Sequence, residues 1–282
     1  MVDEHTLIRE ALQTLTGVKI DPDKIYLIET RLKDILSEYS LSSFDQMAQK
    51  IKEGTDQNFL NRVTEKITTH ETRFFRDESI FDALVVQIIP EWLEKRGISR
   101  MNLEGERLDI WSAACSTGQE PYSIMMMLHE KMPDIAAITR ILGTDISQET
   151  LDKAKKGVFT KFEVDRGLPE PILNKYFTNE GTGFKCSDKI SSHIQFQKHN
   201  LVSDPFPGPF DIVFLRNVAI YFDDNVKKEI YSKIKKITKP DGILVLGSSE
   251  NLSGYMTDFI LREFGLARYY EINSSQVTIF KQ

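Results

Sequence analysis

Over the first seventy residues the apolar positions recur at helical spacing. Leu7, Ile8, Ala11, Leu12 and Leu15 fall on one face of a 3.6-residue period, and Gly17 follows where a left-handed C-cap belongs. Asp21-Pro22-Asp23 has the form of a second helix start, with Asp21 as N-cap and Pro22 at the first helical position. Its stripe runs on through Ile25, Ile28, Leu32 and Leu36. Ser43 is placed to open a third helix, and Thr55 or Asp56 a fourth. Period-two alternation does not occur here. Residues 1–70 are therefore expected to form a small helical domain, followed by a linker and connecting helix over 71–107.

From residue 108 the pattern changes to short, continuous apolar runs alternating with helical segments. LDIWSAA (Leu108–Ala114) reads as a buried strand and Glu120–Met132 as the helix after it. RILGTDI (Arg140–Ile146) is the next strand, with Ser147 capping its helix. FDIVFLRN (Phe210–Asn217) and GILVLGSS (Gly242–Ser249) are two more, and VTIF (Val277–Phe280) is expected as a last one. Strands alternating with helices imply an α/β domain over 108–282, a doubly wound and mostly parallel Rossmann-like sheet. In such a sheet ligands sit at the carboxyl ends of the strands. Between about 157 and 196 the alternation breaks. The turn-rich stretch NEGTGFKCSDK (Asn179–Lys189) there is expected to form a β-hairpin subdomain inserted in the sheet domain.

Composition narrows the class. The 282 residues are 40% apolar and 28% charged, the balance of an ordinary globular protein. The start MVDEHTLIRE lacks the apolar core of a secretory signal, and no run is long enough to cross a bilayer. Two cysteines, Cys115 and Cys186, give neither a disulfide framework nor metal-ligand spacing. A cytoplasmic protein is expected. A formal net charge of −6 disfavours a general nucleic-acid binder. The one basic stretch, Lys227–Lys239, carries six lysines around an apolar stripe of Val226, Ile230, Ile234 and Ile237, so those lysines are expected on the solvated face of a helix.

Candidate chemistry begins where the first strand ends, in SAACSTGQEPYS (Ser112–Ser123). A strand, a turn of small residues and a helix N-terminus form a nucleotide-site geometry, because small side chains let a ligand approach free backbone N–H groups. Gly118 is the only glycine of that turn, so it is not the G-x-G-x-x-G of a dinucleotide site. Glu120 instead places a negative charge suited to an ammonium or sulfonium group. Asp145, at the end of the second strand, can accept hydrogen bonds from both hydroxyls of a ribose. The pair points to an adenosine with a cationic tail. Cys115 suits the turn by its small size rather than as a nucleophile, and His5, His129, His193 and His199 are too scattered for a metal site.

HETRFFRD (His70–Asp77), SAACSTGQEPYS, GTDIS (Gly143–Ser147), KHNL (Lys198–Leu201), FLRNVAIYF (Phe214–Phe222) and LGSSENL (Leu246–Leu252) occur in this order. Together they resemble the CheR family of chemotaxis receptor methyltransferases. DPDKIYLIETRL (Asp21–Leu32) is similar to that family's N-terminal domain, so the likeness spans essentially the whole chain. The resemblance implies S-adenosylmethionine as methyl donor, with S-adenosylhomocysteine as product and no metal. It implies transfer to glutamate side chains in the cytoplasmic helical region of methyl-accepting chemoreceptors, for sensory adaptation in signal transduction. By the same resemblance His70, Thr72 and Arg76 would lie beside the methionine end of the cofactor, and Glu120 would meet its amino group. Asp145 would meet the ribose, Asn200 and Leu201 would flank the adenine, and Asn217 with Val218 would line the site. The chain departs from the family at His70, where many relatives carry asparagine, at Leu215 in place of a common cysteine, and at Ala219 in place of a larger apolar residue.

A glutamate with an intrinsic pKa of about 4.3 is already a nucleophile at neutral pH, so the mechanism needs placement and no general base. Arg76 is the expected carboxylate clamp, through directional charge-assisted hydrogen bonds. Tyr221 is the second candidate, as a phenolic donor. Methylation of another signalling protein, or a non-catalytic module binding S-adenosylmethionine or S-adenosylhomocysteine, are the competing readings. Relatives that tether to a receptor's C-terminal pentapeptide use the inserted hairpin. Here Thr178–Ile190 looks short, with Gly181 and Gly183 close together, so no tether is expected. Receptor docking would then fall to the N-terminal domain of a monomer. That domain holds nine Lys/Arg against twelve Asp/Glu, with Lys24 and Arg31 on one helical face.

Overall fold

The computed structural model describes residues 5–256 and 258–273; the strand expected at Val277–Phe280 lies outside them. The N-terminal region is a bundle of four α-helices, Thr6–Thr16, Ile25–Glu38, Phe44–Glu53 and Gln57–Ile67. The local signals set three of their ends. Gly17 closes the first helix at φ 77°, the Ser43 hydroxyl accepts from the Gln46 N–H, and the Asp56 carboxylate accepts from the Phe59 N–H. Asp21 does not cap. Pro22–Lys24 forms a separate 3₁₀ turn ahead of the second helix, and the Asp21 carboxylate lies 3.4 Å from Lys19 and 3.6 Å from Lys24 instead. Ile8, Leu12, Ile28, Leu32, Ile35, Met47, Phe59 and Val63 close into a core of the bundle's own.

Residues 79–96 form one helical rod in three segments, α-helical over Ser79–Ala83, a π-turn over Leu84–Ile88, and α-helical again over Ile89–Arg96. Pro90 lacks an N–H and its ring crowds the preceding turn, and the wider turn in front of it absorbs that misfit. Trp92 of this rod donates to Asp211, a fully buried carboxylate that also meets Arg96 at 2.7 Å and Lys239 at 2.9 Å.

Ten strands follow: β1 (Leu108–Ala113), β2 (Thr139–Asp145), β3 (Val158–Phe159), β4 (Phe177–Glu180), β5 (Gly183–Cys186), β6 (Ile194–Lys198), β7 (Phe210–Leu215), β8 (Thr238–Leu246), β9 (Phe259–Phe264) and β10 (Ala267–Ile272). Seven make the main sheet, in the order β6-β2-β1-β7-β8-β10-β9. The first five are parallel, and the β9–β10 hairpin adds an antiparallel edge. Both faces are covered, which is why the central strands read as unbroken apolar runs. Ile110, Ile212, Phe214, Ile243 and Val245 enter one core with the rod and helix Gln119–Lys131. Trp111, Val213, Leu215, Leu244 and Leu246 enter the other with helix Asp224–Ile237.

That last helix is the lysine-rich one. Ile230, Tyr231 and Ile234 are buried, as its stripe requires, but its lysines are not simply solvated. Lys235 pairs with Asp258 at 2.6 Å and Lys233 donates to the Val202 carbonyl at 2.8 Å. The inserted region contains a separate three-stranded antiparallel sheet, β3-β5-β4, with a two-residue turn at Gly181 and Thr182 between β4 and β5. Ile194–Phe196, grouped with the insertion on sequence grounds, belong instead to β6 of the main sheet, paired in parallel with β2.

Candidate active site

The carboxyl ends of β1, β2 and β7 open into a cleft whose opposite wall is the end of the bundle and the segment after it. His70, Thr72, Arg76, Glu120, Asp145, Asn200, Leu201, Asn217, Val218 and Tyr221 all line it, although they are spread over 150 residues of chain. Six non-glycine residues among those described take positive φ. Five of them, Phe75, Asp77, Ala114, Ser116 and Asn217, belong to the turns that build this cleft. Backbone held in so sparsely populated a region marks geometry imposed by a site.

The floor is acidic. Asp145, 6% exposed, accepts from the Ser116 N–H at 2.8 Å and from the Ser147 N–H at 3.0 Å. Burial pushes its carboxyl up from the ordinary aspartate value, and those two backbone donors oppose the shift. Glu120 accepts from the Ser112 hydroxyl at 2.7 Å and from Arg216 at 2.8 Å. Arg216 also reaches Asp77 and the Arg76 carbonyl, each at 2.7 Å. It is 7% exposed, and its Nε–H is buried without a partner among the described residues. Arg216 is thus shared between Asp77 and Glu120, while Asp145 is held by backbone N–H groups alone. The excess negative charge suits a ligand that carries an ammonium or sulfonium and presents hydroxyls.

Two unengaged donors also line the cleft. Arg76 is half-buried, and its guanidinium makes no hydrogen bond or ion pair among the described residues. Phe75 at φ 48° and Asp77 at φ 57° flank it, so the chain turns sharply on either side. Tyr221 ends the short 3₁₀ turn Ala219–Tyr221, its hydroxyl likewise unengaged. Its backbone is fixed, because its carbonyl accepts the Lys19 N–H at 2.8 Å.

Other expected residues have structural partners. The Nε2 of His70 lies 3.1 Å from both the Thr68 hydroxyl and the Glu65 carbonyl, and its own carbonyl accepts the Ser116 hydroxyl at 2.8 Å. Asn200 donates its amide to the Leu15 carbonyl at 2.9 Å and accepts the Val202 N–H at 2.9 Å. Leu201 is buried beside it. Asn217, at φ 59°, and Val218 both donate backbone N–H groups to Glu250, at 2.7 and 3.0 Å. Glu250 also accepts the Gly247 N–H at 2.8 Å, so one carboxylate holds the whole turn after β7. Arg216, Glu250 and Glu65 were not anticipated. Their family strings contain the first two, but nothing local distinguishes a residue whose long-range partners lie 32 to 140 positions away.

Cys115 sits under the turn, 3% exposed, and burial together with the charges of Asp145 and Glu120 pushes its thiol well above the ordinary range. A Cβ at Gly118 would lie 2.9 Å from the Ala154 Cβ and 3.2 Å from the Phe196 ring, so tight packing as well as φ 90° demands glycine there. No group of three or more potential metal ligands occurs among the described residues.

The family model of the CheR methyltransferase SAM binding domain matches residues 70–265. The chain is 36% identical over 252 residues to chemotaxis protein methyltransferase Cher2 of Pseudomonas putida, covering 87% of this chain and 89% of that one. It is 36% identical over 257 residues to chemotaxis protein methyltransferase 1 of Pseudomonas aeruginosa, covering 89% and 90%. To chemotaxis protein methyltransferase 1 of Vibrio cholerae it is 32% identical over 253 residues, covering 88% and 89%. Glu120, Asp145, Arg76 and Tyr221 of the cleft all lie within the matched segment, and the chain belongs to the CheR methyltransferase family.

Proposed function

We propose that this protein transfers a methyl group from S-adenosylmethionine to glutamate side-chain carboxylates of chemotaxis receptors. One observation carries the reading. Arg76 and Tyr221, both unengaged, face the same cleft as the paired acidic residues Glu120 and Asp145. The acidic floor binds and orients the donor, with Asp145 taking ribose hydroxyls and Glu120 the ammonium. Arg216 holds Glu120 in place. S-adenosylmethionine, when bound, supplies a methyl group on a positively charged sulfur. Arg76 clamps the glutamate carboxylate and Tyr221 donates to it, so that one oxygen is held in line for attack. Esterification removes the carboxylate's charge and weakens its hold on Arg76, which helps the product leave.

Docking is assigned to the bundle of residues 1–70, with the sheet domain as the catalytic unit. A groove leaves the cleft between the two, lined by Lys19, Lys24, Arg31 and Lys227 together with Asp21, Asp223 and Asp224, and a helical segment laid in it would pass Ile220 and Tyr221. Arg31 already donates to the Ile67 carbonyl at 2.9 Å, so its charge is anchored rather than free. The two-residue turn between β4 and β5 supports a mode without a C-terminal peptide tether. None of the helices of the described residues is long and apolar enough to cross a membrane, and a cytoplasmic monomer acting on the receptors' cytoplasmic helices fits the reading. Labelled S-adenosylmethionine incubated with the protein and receptor-containing membranes should give base-labile label, released as methanol. Stable label, or none, overturns the proposal.

A further inference from the structure

The last helix of the bundle, Gln57–Ile67, reaches across to the sheet domain through Asn61, which accepts from Lys198 at 2.6 Å, and through Glu65. The Glu65 carboxylate accepts the Ser147 hydroxyl, and its other oxygen accepts the Glu149 N–H at 3.2 Å. Ser147 is the N-cap of helix Gln148–Lys156, so Glu65 adds a second, external cap at an end that favours negative charge. Ser147 also donates its N–H to Asp145, Asp145 accepts the Ser116 N–H, and the Ser116 hydroxyl donates to the His70 carbonyl. The His70 ring returns to the Glu65 carbonyl. Five residues from three segments therefore form a closed ring of hydrogen bonds, and the carboxylate assigned to the ribose lies within it. The Glu65 side chain is 13% exposed, so water does not readily substitute for it.

We propose that Glu65 is a positioning residue through which the N-terminal bundle fixes Asp145 for the ribose. The inference rests on the cofactor reading above. Its consequence is that cofactor affinity depends on the seating of the bundle, and a partner that shifts the bundle alters that affinity in turn. The turns on either side of Asp145 hold its two oxygens by single backbone N–H bonds. Loss of Glu65 frees Ser147 and Glu149 at one of those turns and loosens the aim of the carboxylate, without touching the Glu120 end of the cleft.

The test is calorimetric, on the full chain, with S-adenosylhomocysteine and its 2′,3′-dideoxy analogue as ligands. Wild type should bind the parent compound more tightly than the analogue. Glu65→Ala should weaken the parent compound about tenfold and the analogue less than twofold. Glu65→Gln keeps an acceptor for the Ser147 hydroxyl and should stay within about threefold of wild type for both. Equal loss for both ligands in Glu65→Ala, or no loss, overturns the inference; should that variant fail to fold, a Glu65→Gln variant as weak as Asp145→Ala overturns it as well. No binding of S-adenosylhomocysteine to wild type, or full affinity in Asp145→Ala, brings down the cofactor reading itself.

Discussion

Replacing Arg216 with methionine keeps most of the side chain's volume and removes its charge and all of its donors. Three hydrogen bonds are lost, at 2.7 to 2.8 Å, to Glu120, Asp77 and the Arg76 carbonyl. The consequences differ by partner. Asp77 is 30% exposed and recovers water, so its loss is worth about 0.5–1 kcal/mol. Glu120 is 12% exposed and keeps only the Ser112 hydroxyl. A charge left this buried without its partner costs about 3 kcal/mol or more. The variant should therefore lose about 3–4 kcal/mol, out of a total that rarely exceeds about 15 kcal/mol. Urea unfolding at pH 7, followed by circular dichroism, should show the midpoint fall with the slope unchanged. Adding Glu120→Gln removes the stranded charge and should restore about 1.5 kcal/mol or more, a coupling that only contacting residues show. A loss under about 1 kcal/mol, or a double variant no more stable than the single, refutes the electrostatic account of this site.

Other outcomes follow from the same geometry. Arg76→Ala should lose at least a hundredfold in methyl transfer while binding S-adenosylhomocysteine within several-fold of wild type, and Arg76→Lys should not restore the rate, because lysine lacks the planar fork; a near-wild-type rate in folded Arg76→Ala removes it from the mechanism. Lys24→Glu with Arg31→Glu should cut receptor methylation and its sensitivity to salt, with S-adenosylhomocysteine affinity intact; unchanged methylation excludes the groove as the docking surface. Arg96 forks onto Asp241 at 2.6 and 2.8 Å and holds that carboxyl below the usual carboxylate range. A depressed folded pKa gives stability that is present above the unfolded value and lost as pH falls. Asp241→Asn should thus cost about 1 kcal/mol at neutral pH, the gap closing as pH falls below the ordinary aspartate value of about 4. A gap that stays constant with pH contradicts the pairing.

What the sequence made legible was local or strongly periodic. Ser43, Asp56 and Ser147 each act on the N–H group three residues on, so their capping is written in nearby positions. The stretches Ile110–Trp111, Ile212–Leu215 and Ile243–Leu246 of β1, β7 and β8 are apolar because both faces of the sheet are buried there. Asp21 misled, because a nearby lysine on each side competes for its carboxylate. The β9–β10 hairpin escaped notice for the opposite reason. As an edge it leaves Ile260, Leu261 and Arg262 exposed, so no apolar run announces it. At the site, the family strings brought the lining residues together, but their hydrogen-bonding state was not legible. His70 and Asn200 spend side-chain donors or acceptors on the bundle, whereas Arg76 and Tyr221 keep theirs free, and only the folded arrangement separates the two cases.

The seam between bundle and sheet domain also bears on the order in which the molecule is assembled. Asn200 reaches Leu15 across 185 residues, Gln13 reaches Asp223 across 210, and Val18 bridges to Phe222. Contacts this distant along the chain cannot form early. During synthesis the bundle emerges first and can close its own core, yet the wall it offers to the cleft waits for β7 and the turn after it. The ribosome must therefore deliver some two hundred further residues before Tyr221 has the Lys19 N–H to dock against. Cofactor binding is then one of the last competences this chain acquires, and a nascent polypeptide that stalls before β7 has a folded bundle with no cleft to complete.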